Sequence, residues 1–230
     1  MKLQNLLQHF VSLFYPKLCV ICGEVLIANE SYFCLECFLK LPKTNHHLSP
    51  DNRATDRFAG KIPVVKGASY LYYDKGGFSQ KLIADIKYRD NRKLGEWMGA
   101  LLAKDWLSSG FFHGTDCLLP VPLHPSKERK RGFNQSEMIA RGISQITGIP
   151  INTKNVIRKK ATQSQTKKSR FERWKSTKDV FAVKDIDFFN NKQVLIVDDV
   201  LTTGATLEAV AQSLLKAKNV KISLLSLAIA

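Results

Sequence analysis

The segment of residues 193–210, QVLIVDDVLTTGATLEAV, restricts the possible fold more than any other part of the chain. Four apolar residues run directly into two aspartates, a turn of threonine, glycine and alanine follows, and a helical pattern begins after it. A short apolar run next to a helix is typical of a strand that is buried on both faces of a parallel sheet. We therefore expect a strand that ends at Asp198 and Asp199 and is followed by a helix.

The same alternation continues along most of the chain. Strand patterns occur in VVKGASYLYYD, TDCLLPV, DVFAV, QVLIVD and VKISLLSLAI, and helical patterns in GFSQKLIADIKYRD, KLGEWMGALLAKDWLSSG, NQSEMIARGISQITG and GATLEAVAQSLLKAK. Such an order predicts an α/β fold with a mostly parallel sheet covered by helices. We expect a small N-terminal module in residues 1–42, a polar linker in residues 43–63 and the α/β domain in residues 64–230.

The turn after the two aspartates has the features of a phosphate site. In open α/β sheets ligands bind at the carboxyl ends of the strands, and a helix start offers unpaired N–H groups to an anion. The candidate phosphate-binding residues are Thr202, Thr203, Gly204, Ala205 and Thr206. The carboxylates of Asp198 and Asp199 would accept hydrogen bonds from hydroxyl groups nearby, so a phosphorylated sugar fits both halves of the segment.

Two other interpretations of this segment are weaker. A P-loop requires a Gly-Lys-Ser/Thr ending, which the segment lacks, so a nucleoside triphosphatase is not expected. A purely structural interpretation makes Asp199 a turn residue and Thr203 a helix N-cap. That interpretation accounts for one aspartate and one threonine and leaves the others unexplained.

Four of the five cysteines form two C-x2-C pairs, CVIC and CLEC, at Cys19, Cys22, Cys34 and Cys37. Two such pairs can supply the four thiolates of a closed, structural Zn²⁺ site. The alternative is redox or disulfide chemistry, which a reducing compartment disfavours. Cys117 lies in an apolar strand pattern and is expected to be a buried core thiol.

The charge and hydropathy of the sequence limit which partners and which cellular compartment are expected. The net charge is +15, and residues 124–175 contain 14 basic and three acidic residues, which amounts to +11 of that total. A concentrated positive field attracts phosphates, although a solvated basic face that aids solubility is the plain alternative. The N-terminal residues MKLQNLLQHFVSLFYPKLC have an amphipathic helical pattern that does not match a secretory signal, and no run is long enough to span a bilayer. The sequence therefore predicts a cytoplasmic protein.

At these motifs the sequence resembles a known family. VLIVDDVLTTGATL is similar to the phosphoribosyl-pyrophosphate motif of the type I phosphoribosyltransferases. LLPVPLHPSKERKRGFNQSEMIA and RKKATQSQTKKSRFERWKS resemble segments of the ComF family of competence-associated proteins, which also carries the zinc knuckle. With the cysteine pairs, the resemblance covers nearly the whole chain and implies a type I phosphoribosyltransferase-like fold.

The resemblance also implies roles for particular residues. Asp198 and Asp199 would bind the ribose hydroxyls of phosphoribosyl pyrophosphate, and residues 202–206 would hold its 5-phosphate. The pyrophosphate, with its Mg²⁺, would contact a loop and the basic residues that follow it: Leu123, His124, Lys127, Arg129 and Arg131. A mobile loop containing Arg158, Lys167 and Arg170 would close over the ligand.

Two functions remain open from the sequence. The first is an enzyme of the glycosyltransferase class that transfers a phosphoribosyl group to a nucleobase or amine, with an acceptor pocket formed by residues 76–110 or by the zinc module. The second is a non-catalytic phosphoribosyl-pyrophosphate-binding factor in DNA uptake. Such a factor would handle single-stranded DNA through residues 158–175, where Phe171 and Trp174 lie among the basic residues, and would work with a DNA-uptake helicase or recombination proteins. Core packing of Phe171 and Trp174 is the alternative to that DNA site.

Overall fold

The computed structural model describes residues 16–88, 91–159 and 180–230. The helices, numbered along the chain, are α1 (Leu35–Leu39), α2 (Arg53–Asp56), α3 (Phe78–Tyr88), α4 (Arg92–Trp106), α5 (Pro125–Arg131), α6 (Gln135–Thr147) and α7 (Ala205–Leu214). The strands are β1 (Lys66–Tyr72), β2 (Cys117–Pro120), β3 (Val156–Arg158), β4 (Phe181–Val183), β5 (Gln193–Leu201) and β6 (Lys221–Ile229). None of the helices in these residues is long and apolar enough to cross a bilayer.

Four strands form one parallel sheet in the order β1-β6-β5-β2. Parallel neighbours need crossover connections, which the helices between the strands supply. The remaining two strands, β3 and β4, pair antiparallel in a separate small sheet. The parallel sheet with its helices is the α/β architecture that the sequence predicts.

Strand β5 is longer than the sequence pattern predicts. It runs beyond Asp198 and Asp199 to Leu201, because its neighbour β6 continues as an apolar strand and keeps pairing with it. Val200 aligns with Ala228, and Leu201 aligns with Ile229. The expectation that the strand ends at the two aspartates is therefore wrong by two residues.

Each face of the sheet has its own apolar core, because side chains alternate along a strand. On β5, Leu195 and Val197 pack into one cluster with residues of α3, α4 and α6. Val194 and Ile196 pack into the other cluster with residues of α7 and with Phe58. Burial on both faces explains why this strand is almost continuously apolar.

Helices α4 and α6 cross in close contact through glycines. A Cβ atom on Gly99 would lie 2.0 Å from the carbonyl oxygen of Ile139, and one on Gly142 would lie 1.9 Å from that of Glu96. No side chain fits at those distances, so the two backbones touch. This crossing sets the position of α6, whose first turn reaches the carboxyl end of the sheet.

The cysteine pairs and the segment after them pack on the α/β core. Cys19, Phe33 and Cys37 belong to the same apolar cluster as α3 and α4. Phe33 contacts Phe78 and Trp97, with ring centroids 5.4 Å apart in both pairs. Residues 43–63, expected as a linker, contain α2 and pair with β1 through a bridge from Lys43 to Leu71.

Cys117 and two histidines that precede β1 are packed inside the protein. Cys117 is 2% exposed, which confirms it as a buried core thiol, and burial raises its pKa to about 11. His46 is buried, and its ring lies against that of Tyr72. The ring of His47 stacks on Trp106 at 4.7 Å.

Candidate functional site

A pocket of about 210 Å³ opens at the carboxyl end of β5. It is lined by Asp198, by residues 200–203 at the end of the strand and in the turn, and by residues 204–207 at the start of α7. All five residues predicted to hold a phosphate therefore lie on one pocket with the first aspartate. An anion here would meet the N–H groups and the positive dipole end of a ten-residue helix.

Arg57 and Phe58, which directly follow α2, contact this turn. Gly204 has φ +82°, and a Cβ atom on it would lie 3.0 Å from the ring of Phe58, which is 1% exposed. The guanidinium of Arg57 donates to the carbonyl oxygen of Thr202 at 2.7 Å and also to that of Ala230. These contacts fix the backbone of the turn before any ligand arrives.

Asp198 is the more enclosed member of the acidic pair. Its Oδ1 accepts hydrogen bonds from the hydroxyl of Ser136 at 3.1 Å and from the N–H of Asp199 at 2.9 Å. Burial, reinforced by the negative charge of Asp199, raises the pKa of Asp198 to about 7. Near neutral pH this side chain can therefore hold or release a proton.

Asp199 forms an ion pair with a residue of α3. The Nζ of Lys87 lies 2.9 Å from its Oδ2, and the two side chains are only 20% and 16% exposed. Since the lysine is in the last turn of α3, its charge also interacts favourably with the helix dipole.

Cationic side chains surround the acidic pair on a second side. Burial, followed by the charges of Arg158 and Arg131, lowers the pKa of Lys127 below its ordinary value, and Lys87 contributes to the same effect. Burial lowers the pKa of Arg158, and the negative charge of Asp198 opposes this by raising it. Four basic residues from α3, α5 and β3 are thus close enough to act on one another beside the two carboxylates.

The predicted pyrophosphate loop is only partly brought to this cluster. Lys127 and Arg131 are in it, and the guanidinium of Arg131 donates to the side chain of Gln135 at 2.9 Å. His124 caps α5, with its Nδ1 accepting from the N–H of Ser126. Arg129 is exposed on α5, and in the part of the chain that the structure describes no hydrogen bond or ion pair connects it with the acidic pair.

A second, larger cleft of about 550 Å³ lies beside this loop. Leu123 lines it together with Glu128, Glu137 and Arg158. Its prolines are Pro120 at the end of β2, Pro122 in the loop after it and Pro125 at the start of α5. Arg158 therefore borders this cleft and is also close enough to interact with the charge of Asp198.

Strands β3 and β4 flank the predicted mobile loop. Arg158 aligns with Phe181, and its guanidinium lies 5.2 Å from the centre of that ring. The pairing brings the two ends of the intervening segment together next to Asp198. Lys167 and Arg170, with Phe171 and Trp174, fall outside the described residues.

Sequence reasoning missed four residues of this site: Lys87, Ser136, Arg57 and Phe58. Each comes from a helix or loop distant in sequence from the motif that it contacts, so no local spacing could link them. The one available signal is that Lys87 and Ser136 lie at helix ends, where polar side chains commonly reach a ligand site.

The four paired cysteines form a cluster with the geometry of a metal site. Their Sγ atoms all lie within 4.8 Å of one another, and those of Cys22 and Cys34 are 3.7 Å apart. Tetrahedral Zn–S bonds of about 2.3 Å would place sulfurs about 3.8 Å apart, so the cluster fits a metal such as zinc. Burial opposes ionisation of Cys19, but N–H groups directed at its sulfur, including those of Cys22 and Cys34, lower its pKa to about 6.

None of the cysteines is bridged. A sulfur–sulfur separation of 3.7 Å is far beyond the length of about 2.05 Å for a disulfide bond. The geometry therefore supports metal binding over the disulfide alternative.

Comparison with known proteins agrees with this geometry. The Phosphoribosyl transferase domain family matches residues 130–229. Competence protein F of Haemophilus influenzae is 32% identical over 103 residues, 44% of each chain. DNA utilization protein YhgH of Escherichia coli (strain K12) is 27% identical over 202 residues, 86% of this chain and 84% of the relative. Competence protein ComFC of Bacillus subtilis is 32% identical over 99 residues, 43% of this chain and 38% of the relative.

The match thus spans less than half the length of the Haemophilus and Bacillus proteins and most of the length of the Escherichia protein. Among solved structures, the glutamine phosphoribosylpyrophosphate amidotransferase of B. subtilis has a TM-score of 0.42 and 18% identity, over 62% of this chain and 30% of its own. A purine phosphoribosyltransferase of Pyrococcus horikoshii has a TM-score of 0.36 and 20% identity, over 57% and 71% of the two chains.

The parallel sheet, the acidic pair beside a helix start, the four-cysteine cluster and the matching relatives agree with one another. The chain is therefore similar to the ComF and YhgH proteins, over 86% of its length in the case of YhgH, and its residues 130–229 match the Phosphoribosyl transferase domain family.

Proposed function

We propose that this protein binds phosphoribosyl pyrophosphate together with Mg²⁺ and transfers the phosphoribosyl group to a nucleobase or an amine. The observation that carries the proposal is the pocket that joins Asp198 to the turn of residues 202–206 at a helix start. One end of that pocket suits a phosphate and the other suits sugar hydroxyls, so one sugar phosphate would contact both ends.

Each part of the ligand has a matching group in the site. The 5-phosphate accepts from the N–H groups at the start of α7 and from the threonine hydroxyls. The ribose hydroxyls donate to the carboxylates of Asp198 and Asp199. The pyrophosphate meets the positive charges of Lys127, Arg131 and Arg158.

Mg²⁺ fits this arrangement because it binds oxygen ligands and reaches protein sites chiefly through substrate phosphates. The carboxylate oxygens of the acidic pair are donors of the kind that it accepts. When bound, the ion would neutralise part of the charge on the pyrophosphate.

The reaction breaks the bond between C1 of the ribose and a pyrophosphate oxygen, and the electron pair leaves with the pyrophosphate. A bond forms between C1 and a nitrogen of the acceptor, which loses a proton. Positive charge develops on the ribose ring in the transition state, and the adjacent carboxylates stabilise it. The basic residues stabilise the negative charge that leaves with the pyrophosphate.

The test is calorimetric titration of phosphoribosyl pyrophosphate into zinc-loaded protein with and without Mg²⁺. Replacing both Asp198 and Asp199 with Asn keeps their shape and removes their charge. Hydrogen bonds to charged groups contribute about 1.5–3 kcal/mol each, so affinity should fall at least about 100-fold. Asp51→Asn, at an exposed residue outside the pocket, is the control for lost charge. Equal affinity of the double variant and the control would contradict the proposal.

Transfer itself is tested separately by incubating the protein with Mg²⁺, phosphoribosyl pyrophosphate and a panel of nucleobases and amines. Release of pyrophosphate that depends on one acceptor would support an enzyme. Tight binding without release in the presence of any acceptor would support a binding factor.

The names of the relatives favour a second candidate function in DNA uptake or use. Three of them are described as competence or DNA utilization proteins. In this proposal residues 158–175 bind single-stranded DNA, with affinity that falls steeply as salt rises because counterions are released. Replacing Lys167, Lys168 and Arg170 together with Ala should flatten that salt dependence, and an unchanged slope would exclude this segment as the DNA site.

A further inference from the structure

The ion pair between Lys87 and Asp199 is more buried than a surface pair. A lysine on a helix surface normally extends into water, yet this side chain is 20% exposed and its partner 16% exposed. Desolvation largely cancels the Coulomb gain of a pair at such depth, so net stability is a weak reason for its presence. A role in holding one side chain in a defined orientation explains it better.

Helix α3, which carries Lys87, is held in place by contacts at its start and along one face. Its start is fixed because the carboxylate of Asp74 accepts from the N–H groups of Phe78 and Ser79, both at 2.8 Å. The hydroxyl of Ser79 also donates to the carbonyl oxygen of Tyr72, at the end of β1. Leu82, Ile83 and Ile86 are buried against the core. Lys87 therefore projects from a helix that is held at its start and along one face.

Among the described residues, the ion pair with Lys87 leaves the second oxygen of Asp199 for other partners. Lys87 contacts Oδ2, and a carboxylate has further lone pairs on Oδ1. The neighbouring Asp198 is held by Ser136 through its own Oδ1. Each aspartate is thus oriented by a residue from a different helix, α3 for one and α6 for the other.

We infer that Lys87 is a positioning residue for sugar binding, which orients the carboxylate of Asp199 so that its free oxygen accepts a hydroxyl of a ribose phosphate. The inference rests on the proposed function, since it concerns the sugar end of the same ligand. Helix α3 becomes a third wall of the site, alongside α7 and the loop before α5. Lys87 acts through Asp199 and does not contact the pyrophosphate.

The experiment compares Lys87→Met with Lys87→Arg, and with Lys81→Met as the control on the same helix. Lys81 is exposed and donates only to the carbonyl oxygen of Ile21 among its described contacts. In calorimetric titrations with Mg²⁺, Lys87→Met should weaken phosphoribosyl pyrophosphate binding at least about 10-fold, since a buried charge partner is lost. Lys87→Arg should recover most of the affinity, and Lys81→Met should match wild type.

Two further measurements separate positioning from other roles. If Lys87 acts through Asp199, adding Lys87→Met to Asp199→Asn should cost no more than about 2-fold beyond Asp199→Asn alone. Ribose 5-phosphate has the hydroxyls and lacks the pyrophosphate. Its binding should be weakened by Lys87→Met as much as the binding of phosphoribosyl pyrophosphate is. Inorganic pyrophosphate should bind the variant and wild type equally.

Several results would overturn the inference. Unchanged or tighter sugar-phosphate binding by Lys87→Met would do so, as would additive losses in the double variant. Weakening confined to phosphoribosyl pyrophosphate and pyrophosphate would assign Lys87 to the leaving group instead. If circular dichroism shows that Lys87→Met is too unstable for calorimetric titration, Lys87→Gln replaces it, and the same loss of affinity is expected. Wild-type protein that binds no phosphoribosyl pyrophosphate would overturn the proposed function, and this inference with it.

Discussion

Replacing Gly204 with Ala should destabilise the protein through two separable effects. At φ +82° a Cβ atom costs about 1–2 kcal/mol in backbone strain, because the left-handed region crowds that atom against the backbone. The new methyl would also lie 3.0 Å from two ring atoms of Phe58. Because that ring is 1% exposed it cannot swing into solvent, and overpacking at such a site costs about 1–3 kcal/mol. The expected total is about 2–5 kcal/mol of unfolding free energy.

Gly76 provides the matched control. Its φ is +81°, and a Cβ atom there would meet nothing within 4 Å, so Gly76→Ala carries the backbone strain alone. Urea unfolding followed by circular dichroism should show a loss of about 1–2 kcal/mol for Gly76→Ala and a larger loss for Gly204→Ala. Added to Phe58→Leu, Gly204→Ala should cost no more than Gly76→Ala does in wild type, since the smaller side chain gives the methyl room.

The same substitution should also weaken ligand binding. The turn at Gly204 forms the floor of the predicted 5-phosphate site, and a shift of a few tenths of an ångström misaligns its N–H groups. Phosphoribosyl pyrophosphate should bind Gly204→Ala more weakly and Gly76→Ala as tightly as wild type. Equal stability losses in the two glycine variants would refute the contact with Phe58, and unchanged binding would refute the role of the turn.

Three other predictions concern the rest of the molecule. The folded state raises the pKa of Asp198 to about 7, so Asp198 keeps a proton that the unfolded chain releases near pH 4. The stability of wild type should therefore fall relative to that of Asp198→Asn as pH rises from 4 to 7. Urea unfolding of both proteins at pH 5 and pH 8 checks this, and a constant difference between them would contradict it. Protein purified without added metal should contain about one zinc per chain and Cys34→Ser should lose it, as measured by elemental analysis and by a lower melting temperature. Gly142→Ala should cost about 3 kcal/mol of unfolding free energy, because its methyl would meet the carbonyl oxygen of Glu96 at 1.9 Å and force α4 and α6 apart; a loss below about 1 kcal/mol would show that the two helices do not touch there.

The elements of the fold could be read from the sequence because their signals are local. Alternating apolar strands and amphipathic helices depend on neighbouring residues, and the observed β1, β2, β5, β6, α3, α4, α6 and α7 all lie within the predicted patterns or extend them slightly. The end of β5 could not be read in the same way. Its last residues are strand because β6 lies beside them, and that pairing partner is absent from the local pattern.

The site shows the same division between local and distant information. The sequence by itself predicted the acidic pair, the turn of residues 202–206 and the cysteine cluster, because each is contained in a short stretch whose spacing sets its geometry. Only the tertiary structure decided that Lys87 pairs with Asp199, that Ser136 donates to Asp198 and that Arg57 and Phe58 contact the turn. Those contacts arise where the helices meet at the carboxyl end of the sheet, and packing of the two apolar cores, rather than any spacing along the chain, determines which residues meet there.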